Sequence, residues 1–127
     1  MISDIKPENI LITFDGHIKL GDFGASLNDM CFGEKVDCWI GTPEYMSPEI
    51  WDRWYGREAD WWAYGIVLYN IYFGEAPFVG STLDSLSNRI KNRTLKFPSD
   101  TDPDFVNLIQ SVNLFHHAIT NLSHIVT

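Results

Sequence analysis

Residues 61–73 read Trp-Trp-Ala-Tyr-Gly-Ile-Val-Leu-Tyr-Asn-Ile-Tyr-Phe, and Asn70 is the one strongly polar side chain in the run. A segment that is apolar on every helical face has to be enclosed by something. A membrane span needs about 20 apolar residues. This run is shorter, contains Asn70, and lies between Asp60 and Glu75, so no membrane span is expected. The expectation is a helix buried at the centre of a helical domain, with the rest of the chain wrapped round it. The 127 residues suffice for one domain with a modest core.

The remaining pattern is short-range. Ile10 to Thr13 and Ile18 to Leu20 are apolar runs on either side of Asp15-Gly16, a strong hairpin signal. Ala25 to Met46 has no clear period and reads as a long loop, the kind that is usually functional in a compact domain. Ser47-Pro48-Glu49 reads as a helix start, with a capping hydroxyl, a proline in the first turn and an acid favoured by the helix dipole. The buried helix follows from about Glu58, and Gly74 to Gly80 is a turn. Thr82 to Arg93 fits an amphipathic helix carrying Leu83, Leu86 and Ile90. Asp102-Pro103-Asp104 opens another, with Phe105, Leu108, Ile109 and Val112. The chain is one small hairpin followed by helices, with no linker, no repeat and no low-complexity tract.

Charge and cysteine usage exclude several function classes. The formal net charge of −8 argues against a general binder of nucleic acid or anionic membrane. The basic cluster Arg89, Lys91, Arg93 and Lys96 reads as a solvated helix face. Cys31 and Cys38 form no CxxC pair, and Met1-Ile2 runs directly into Ser-Asp-Ile-Lys without a signal-peptide pattern. A reduced, cytoplasmic setting is the expectation. His116, His117 and His124 have no cysteine or acidic companion at zinc-like spacing.

The chemistry is concentrated at the start, in Ser-Asp-Ile-Lys-Pro-Glu-Asn (3–9) and, across the hairpin, Asp22-Phe23-Gly24. Asp4, Lys6 and Asn9 are close enough for one rigid loop to hold all three around a ligand. The hairpin returns the chain so that Asp22 can lie near Asn9. An Asp–Asn pair offers hard oxygens suited to magnesium, which completes its shell with water and phosphate oxygens. The other acid can accept a hydroxyl proton, and the lysine can neutralise a phosphoryl group in transfer. This is equipment for phosphoryl transfer, where catalysis is mainly positioning and electrostatics. The bland alternative leaves Asp4 and Asn9 as turn residues and Asp22 as a loop acid.

At these residues the sequence resembles a protein kinase. Asp-Ile-Lys-Pro-Glu-Asn looks like the family's catalytic loop and Asp-Phe-Gly like its magnesium loop. Gly-Thr-Pro-Glu-Tyr-Met-Ser-Pro-Glu (41–49) looks like the substrate-docking loop, with Ser-Pro-Glu in place of Ala-Pro-Glu. Asp-Trp-Trp-Ala-Tyr-Gly (60–65) looks like the Asp-x-Trp-x-x-Gly of the family's buried central helix, and 73–78 like the turn after it. The resemblance implies an α+β kinase-like fold: a mainly helical C-terminal lobe with a small hairpin, the N-terminal lobe absent. It covers residues 1–113, leaving 114–127 as a divergent tail. Within the family, residues 16–24, 60–78 and 95–111 are most similar to the AGC group, in particular the citron, Rho-associated and myotonic dystrophy kinases.

Residue by residue, the resemblance implies that Asp4 is the base for the substrate hydroxyl. Lys6 contacts the transferring phosphate and favours Ser/Thr over Tyr. Asn9 and Asp22 hold Mg2+ beneath ATP. Thr42 lines the docking loop beside Asp4 and Lys6, and Glu8 and Glu44 face substrate. Asp60 braces the catalytic loop, Glu49 pairs with an arginine of a later helix, and Gly24, Trp62 and Gly65 are structural. Protein substrates bearing Ser or Thr are the implied partners. The family's His-Arg-Asp is Ile2-Ser3-Asp4 here, and the loop residue four before Thr42, a phosphorylated threonine in many AGC kinases, is Cys38. Both halves of that phosphate switch are missing. Asn70 stands where a glutamate is usual, which weakens a preference for basic substrates. The sequence opens at the catalytic loop, without the Gly-rich loop, the strand lysine or its partner glutamate, so residues 1–127 alone are expected to be inactive. A Ser/Thr kinase therefore competes with a non-catalytic, pseudokinase-like interaction module. An unrelated magnesium phosphotransferase would need its own phosphate cradle, and neither GxxxxGK[ST] nor GxGxxG occurs.

Overall fold

A computed structural model describes residues 1, 4–31, 33–92 and 95–122, with side chains through residue 112. Ser3, Arg93 and the side chains of His116, His117 and His124 lie outside the described residues, as do the side chains of the tail.

The turn at Asp15-Gly16 closes a hairpin of β1 (Ile10–Ile12) and β2 (Ile18–Leu20), and Gly16 takes the left-handed φ of 84° that the turn requires. The strands are antiparallel, with Ile10 opposite Leu20, Leu11 opposite Lys19 and Ile12 opposite Ile18. Most of the hairpin is exposed on the surface. After the long loop come α1 (Pro48–Trp51), α2 (Ala59–Phe73), α3 (Leu83–Asn92) and α4 (Pro103–Leu122). Two 3₁₀ turns, Pro7–Asn9 and Pro43–Tyr45, each begin on a proline.

Helix α2 is the scaffold. At its start, Ala59 packs with Met46, Ile50 and Tyr55. On one face, Trp62 and Ile66 meet Phe78 from the following turn and Leu86 and Ile90 from α3. The Trp62 and Phe78 rings stack, with centroids 6.0 Å apart. On another face, Ala63 and Val67 receive Ile5. Towards its end, Tyr69, Tyr72 and Phe73 form an aromatic group with Phe97 and Phe105, and Tyr72 stacks on Phe105 at 3.8 Å. Gly74 ends the helix in the left-handed conformation, and its amide donates to the Asn70 carbonyl at 2.7 Å.

Three expectations need correction. Helix α2 is not enclosed on every face: Trp62 is 2% exposed and Gly65 is buried, but Trp61 is 55% exposed and Ile71 67%, with Tyr64 and Tyr72 also exposed. These four fall along one side of the helix, where Tyr72 alone is partly covered, by its stacking on Phe105. Leu83 and Leu108 are exposed as well, so α3 buries a narrower stripe, Leu86 with Ile90, and among the described side chains of α4 the buried one is Ile109. Ser47 occupies the N-cap position of α1 but makes no side-chain capping bond. In this single turn the Ile50 amide donates to the Ser47 carbonyl at 3.0 Å, and the hydroxyl is buried without a partner.

Gly56 marks a close approach. A Cβ there would lie 2.6 Å from the Glu34 carbonyl oxygen and 2.6 Å from Glu58 Oε2. Gly56→Ala should destabilise the chain by about 1–3 kcal/mol, in line with overpacking. Urea unfolding of the two proteins checks this; equal midpoints would show that the loop yields freely.

Candidate active site

Ile5 is the anchor. It is buried on Ala63 and Val67, and its neighbours Asp4 and Lys6 are directed to a common polar site beside it. The carboxylate of Asp4 is the hub. Its Oδ1 accepts from the Thr42 amide at 2.9 Å and the Thr42 hydroxyl at 2.7 Å. Its Oδ2 pairs with Lys6 Nζ at 2.9 Å and accepts a longer bond from Asn9 Nδ2 at 3.3 Å. Lys6 Nζ also donates to Thr42 Oγ1 at 2.8 Å, and Asn9 Nδ2 to the Asp4 carbonyl at 3.0 Å. Thr42 is 38 residues from Asp4, so the network ties the docking loop to the first turn of the chain.

The electrostatics follow from these contacts. Burial acts to raise the Asp4 carboxyl, but hydrogen bonds from Lys6 and Thr42 and the Lys6 charge outweigh it and hold the group below the usual carboxylate range. Lys6 is raised, first by its bond to Asp4 against a smaller desolvation effect, then by the charges of Asp4, Glu8 and Asp22. Asp4 is therefore an anion and Lys6 a cation at neutral pH.

Asp22 reaches this field across the hairpin, where the Gly21 amide donates to the Asn9 carbonyl at 2.8 Å. Its backbone has a φ of 53°, uncommon for a residue with a Cβ but tolerated by Asp. The Gly24 amide, donating to Asp22 Oδ1 at 3.2 Å, supports that turn. The Asp22 side chain is exposed. With Asn9 Nδ2 turned to Asp4, Asn9 Oδ1 is left as a hard acceptor. Asn9 Oδ1 and the Asp22 carboxylate are hard oxygens of the kind that could hold a magnesium ion, which takes its remaining ligands from phosphate and water. Among the described residues no group of three His, Cys, Asp or Glu side chains could hold a metal by itself.

The other expected residues surround this centre. Glu8 is exposed on the first 3₁₀ turn and Glu44 half-buried on the second. Tyr45 lies between their fields: its hydroxyl is raised by burial and then by Glu8 and Glu44. Asp60 is half-buried and shares a small pocket with Ile5, Thr42, Tyr45 and Ala63. Glu49 is half-buried on α1, and its charge acts on Lys35.

Comparison with known proteins decides the family. The family model described as "Protein kinase domain" matches residues 1–121. The chain belongs to the protein kinase family. It is 39% identical over 110 residues to a "Protein kinase C-like" protein of Neurospora crassa, covering 86% of this chain and 10% of the relative. It is 43% identical over 97 residues to "Serine/threonine-protein kinase akt-1" of Caenorhabditis elegans, covering 76% of this chain and 18% of the relative. The akt-2 kinase of the same organism is 40% identical over 110 residues, or 86% of this chain and 21% of the relative. These are AGC kinases, in keeping with the group suggested by the sequence. The chain thus spans from about a tenth to about a fifth of the length of these relatives. Protein kinases as a family use ATP and Mg2+ and act on proteins. No helix among the described residues is long and apolar enough to cross a membrane.

Several residues that pack or bond around these side chains had no motif to reveal them. Ile5 is a lone apolar residue between an acid and a base, and that alternation is its only signal. Lys35, Tyr55 and Glu58 belong to no recognised pattern, yet they fasten the loop that leads to Thr42.

Proposed function

We propose that these residues form the phosphoryl-transfer half of a cytoplasmic Ser/Thr protein kinase, which moves the γ-phosphoryl group of ATP to Ser or Thr hydroxyls of protein substrates. The observation that carries this is the network in which Asp4 joins Thr42, Lys6 and Asn9. Asp4 is the base, Lys6 the phosphate contact, and Asn9 and Asp22 the residues that would hold Mg2+. The metal, when bound, neutralises phosphate charge. Thr42 fixes the Asp4 carboxylate by filling Oδ1, since a carboxylate oxygen accepts about two bonds. Oδ2 is then the atom for the substrate proton. It becomes available as Lys6 swings to the incoming phosphate, because the remaining Asn9 contact is long. Glu8 and Glu44, converging on Tyr45 from two separate turns, suit a basic side chain of the substrate.

The test is radiolabel transfer from Mg-ATP by an active polypeptide carrying these residues, offered peptides that differ only in a Ser, Thr or Tyr acceptor. Label on Ser or Thr is expected. Label on Tyr alone overturns the specificity, and no label with retained partner binding favours the non-catalytic module. Activity should also survive Ser/Thr phosphatase treatment, because Cys38 has no hydroxyl to phosphorylate. Loss of activity would place the switch elsewhere, for example at Ser26 or Thr42.

Residues 1–127 by themselves should hold Mg-ATP weakly, with a Kd of about 1 mM or worse, equivalent to roughly 4 kcal/mol at most. Lys6 is the one cation among the proposed site groups, set against Asp4 and Asp22, and the exposed setting of Asp22 is one where charges are worth least. Titration calorimetry reads this directly; micromolar binding would contradict it.

A further inference from the structure

The loop that ends at Thr42 is fastened by three consecutive contacts, and none of them uses a phosphate. Lys35 forms an ion pair with Glu58, and both side chains are nearly enclosed, 12% and 5% exposed. Val36 and Tyr55 form an isolated antiparallel bridge, with the Val36 amide donating to the Tyr55 carbonyl at 2.8 Å and the Tyr55 amide to the Val36 carbonyl at 3.3 Å. Cys38 Sγ and the Tyr55 hydroxyl are hydrogen-bonded at 3.0 Å. Tyr55 is fully buried, packed with Met46, Ile50 and Ala59, and burial together with the Cys38 bond keeps its hydroxyl protonated far above the usual range. Gly56, lacking a side chain, leaves the space that the Glu34 carbonyl and the Glu58 carboxylate share.

A buried ammonium on a loop is an unfavourable group unless an acid meets it. Burial pushes Lys35 down from the ordinary lysine range, and the charge of Glu49 acts against that shift. Carboxylates from two different elements, Glu58 at the start of α2 and Glu49 on α1, therefore favour one position of Lys35. That position sets the stretch 35–38 with its Val36–Tyr55 bridge, and four residues beyond Cys38 the chain delivers Thr42 to Asp4. The geometry points to Lys35 and Glu58 as positioning residues that hold the loop, and through it the Thr42–Asp4 contact, in the ordered arrangement without phosphorylation. The inference deepens the kinase reading of this site, but its test needs no catalytic activity and so can fail separately.

Amide hydrogen exchange on the 127-residue chain reads it directly. In Lys35→Met the Val36 and Thr42 amides should both exchange on the order of tenfold or more faster, as expected of a local opening. Amides in the middle of α2, such as Ile66, and the Thr13 amide in the hairpin should keep their rates. Lys35→Arg should restore protection at both loop positions. Glu58→Gln, nearly isosteric and less prone to unfold the chain, should reproduce the Lys35→Met pattern. Faster exchange at Val36 with Thr42 unchanged would overturn the coupling. A uniform rise that includes Ile66 would overturn it too, since the pair would then stabilise the fold as a whole.

Discussion

Asp4→Asn should reduce phosphoryl transfer by about 10²–10⁴-fold, the range for loss of a positioned general base, with most of the loss in kcat and little in the KM for ATP. The substitution keeps the size of the side chain and removes its charge. An asparagine amide can present an oxygen to either Thr42 or Lys6 but not to both. Its NH2 must then face a donor where a carboxylate oxygen stood: the Thr42 amide and hydroxyl at 2.9 and 2.7 Å, or the Lys6 ammonium at 2.9 Å. Lys6 would lose the partner that contributes most to raising it. Transition-state interactions are lost more than ground-state ones, which is why kcat carries the effect. Steady-state kinetics in an active polypeptide carrying these residues measure the split. A loss below about tenfold would be too small for a general base and would remove Asp4 from that role.

How much of this was legible in the sequence depended on the range of the interaction. The hairpin at Asp15-Gly16 and the ends of α2 are local: a glycine at positive φ, an acid before the helix and Gly74 after it are written within a few residues of the features they cause. The polar residues of the site were legible because Asp4, Lys6, Asn9 and Asp22 sit in short motifs. What holds them was not. Ile5 meets Ala63 and Val67 across about sixty positions, and nothing in Asp-Ile-Lys says which helix will receive it. Lys35 and Glu58 are two ordinary charges until the loop folds back on α2; apart, each reads as a solvated side chain. The misjudged faces have the same origin. Composition shows that the run 61–73 is apolar, but which of its sides is covered depends on where α3, α4 and Ile5 pack. The Ser47 hydroxyl was misread because a capping rule written for full-length helices does not bind a single turn, whose amide is satisfied by the preceding carbonyl.

The two adjacent tryptophans of α2 should respond very differently to truncation. Trp62→Ala removes the largest fully buried side chain, taking with it the ring stacked on Phe78 and the contacts that join Ile66, Leu86 and Ile90 into one cluster. Truncation of a buried Trp costs about 3–5 kcal/mol, a large part of the 5–15 kcal/mol or so that stabilises a typical domain. Trp61→Ala removes an exposed ring whose main aromatic contact is an edge-on approach to Tyr64 at 6.3 Å, worth about 0.5–1.5 kcal/mol. The expected order is set by one step of 100° around the helix, which no composition or periodicity distinguishes in so apolar a run. The larger loss should also spread to the site, because Trp62 adjoins Ala63, one of the two residues that seat Ile5 between Asp4 and Lys6. Urea unfolding of both variants, followed by circular dichroism, tests the pair: a midpoint lowered by less in Trp62→Ala than in Trp61→Ala would mean that α2 is rotated from the orientation described, and with it the seat of Ile5.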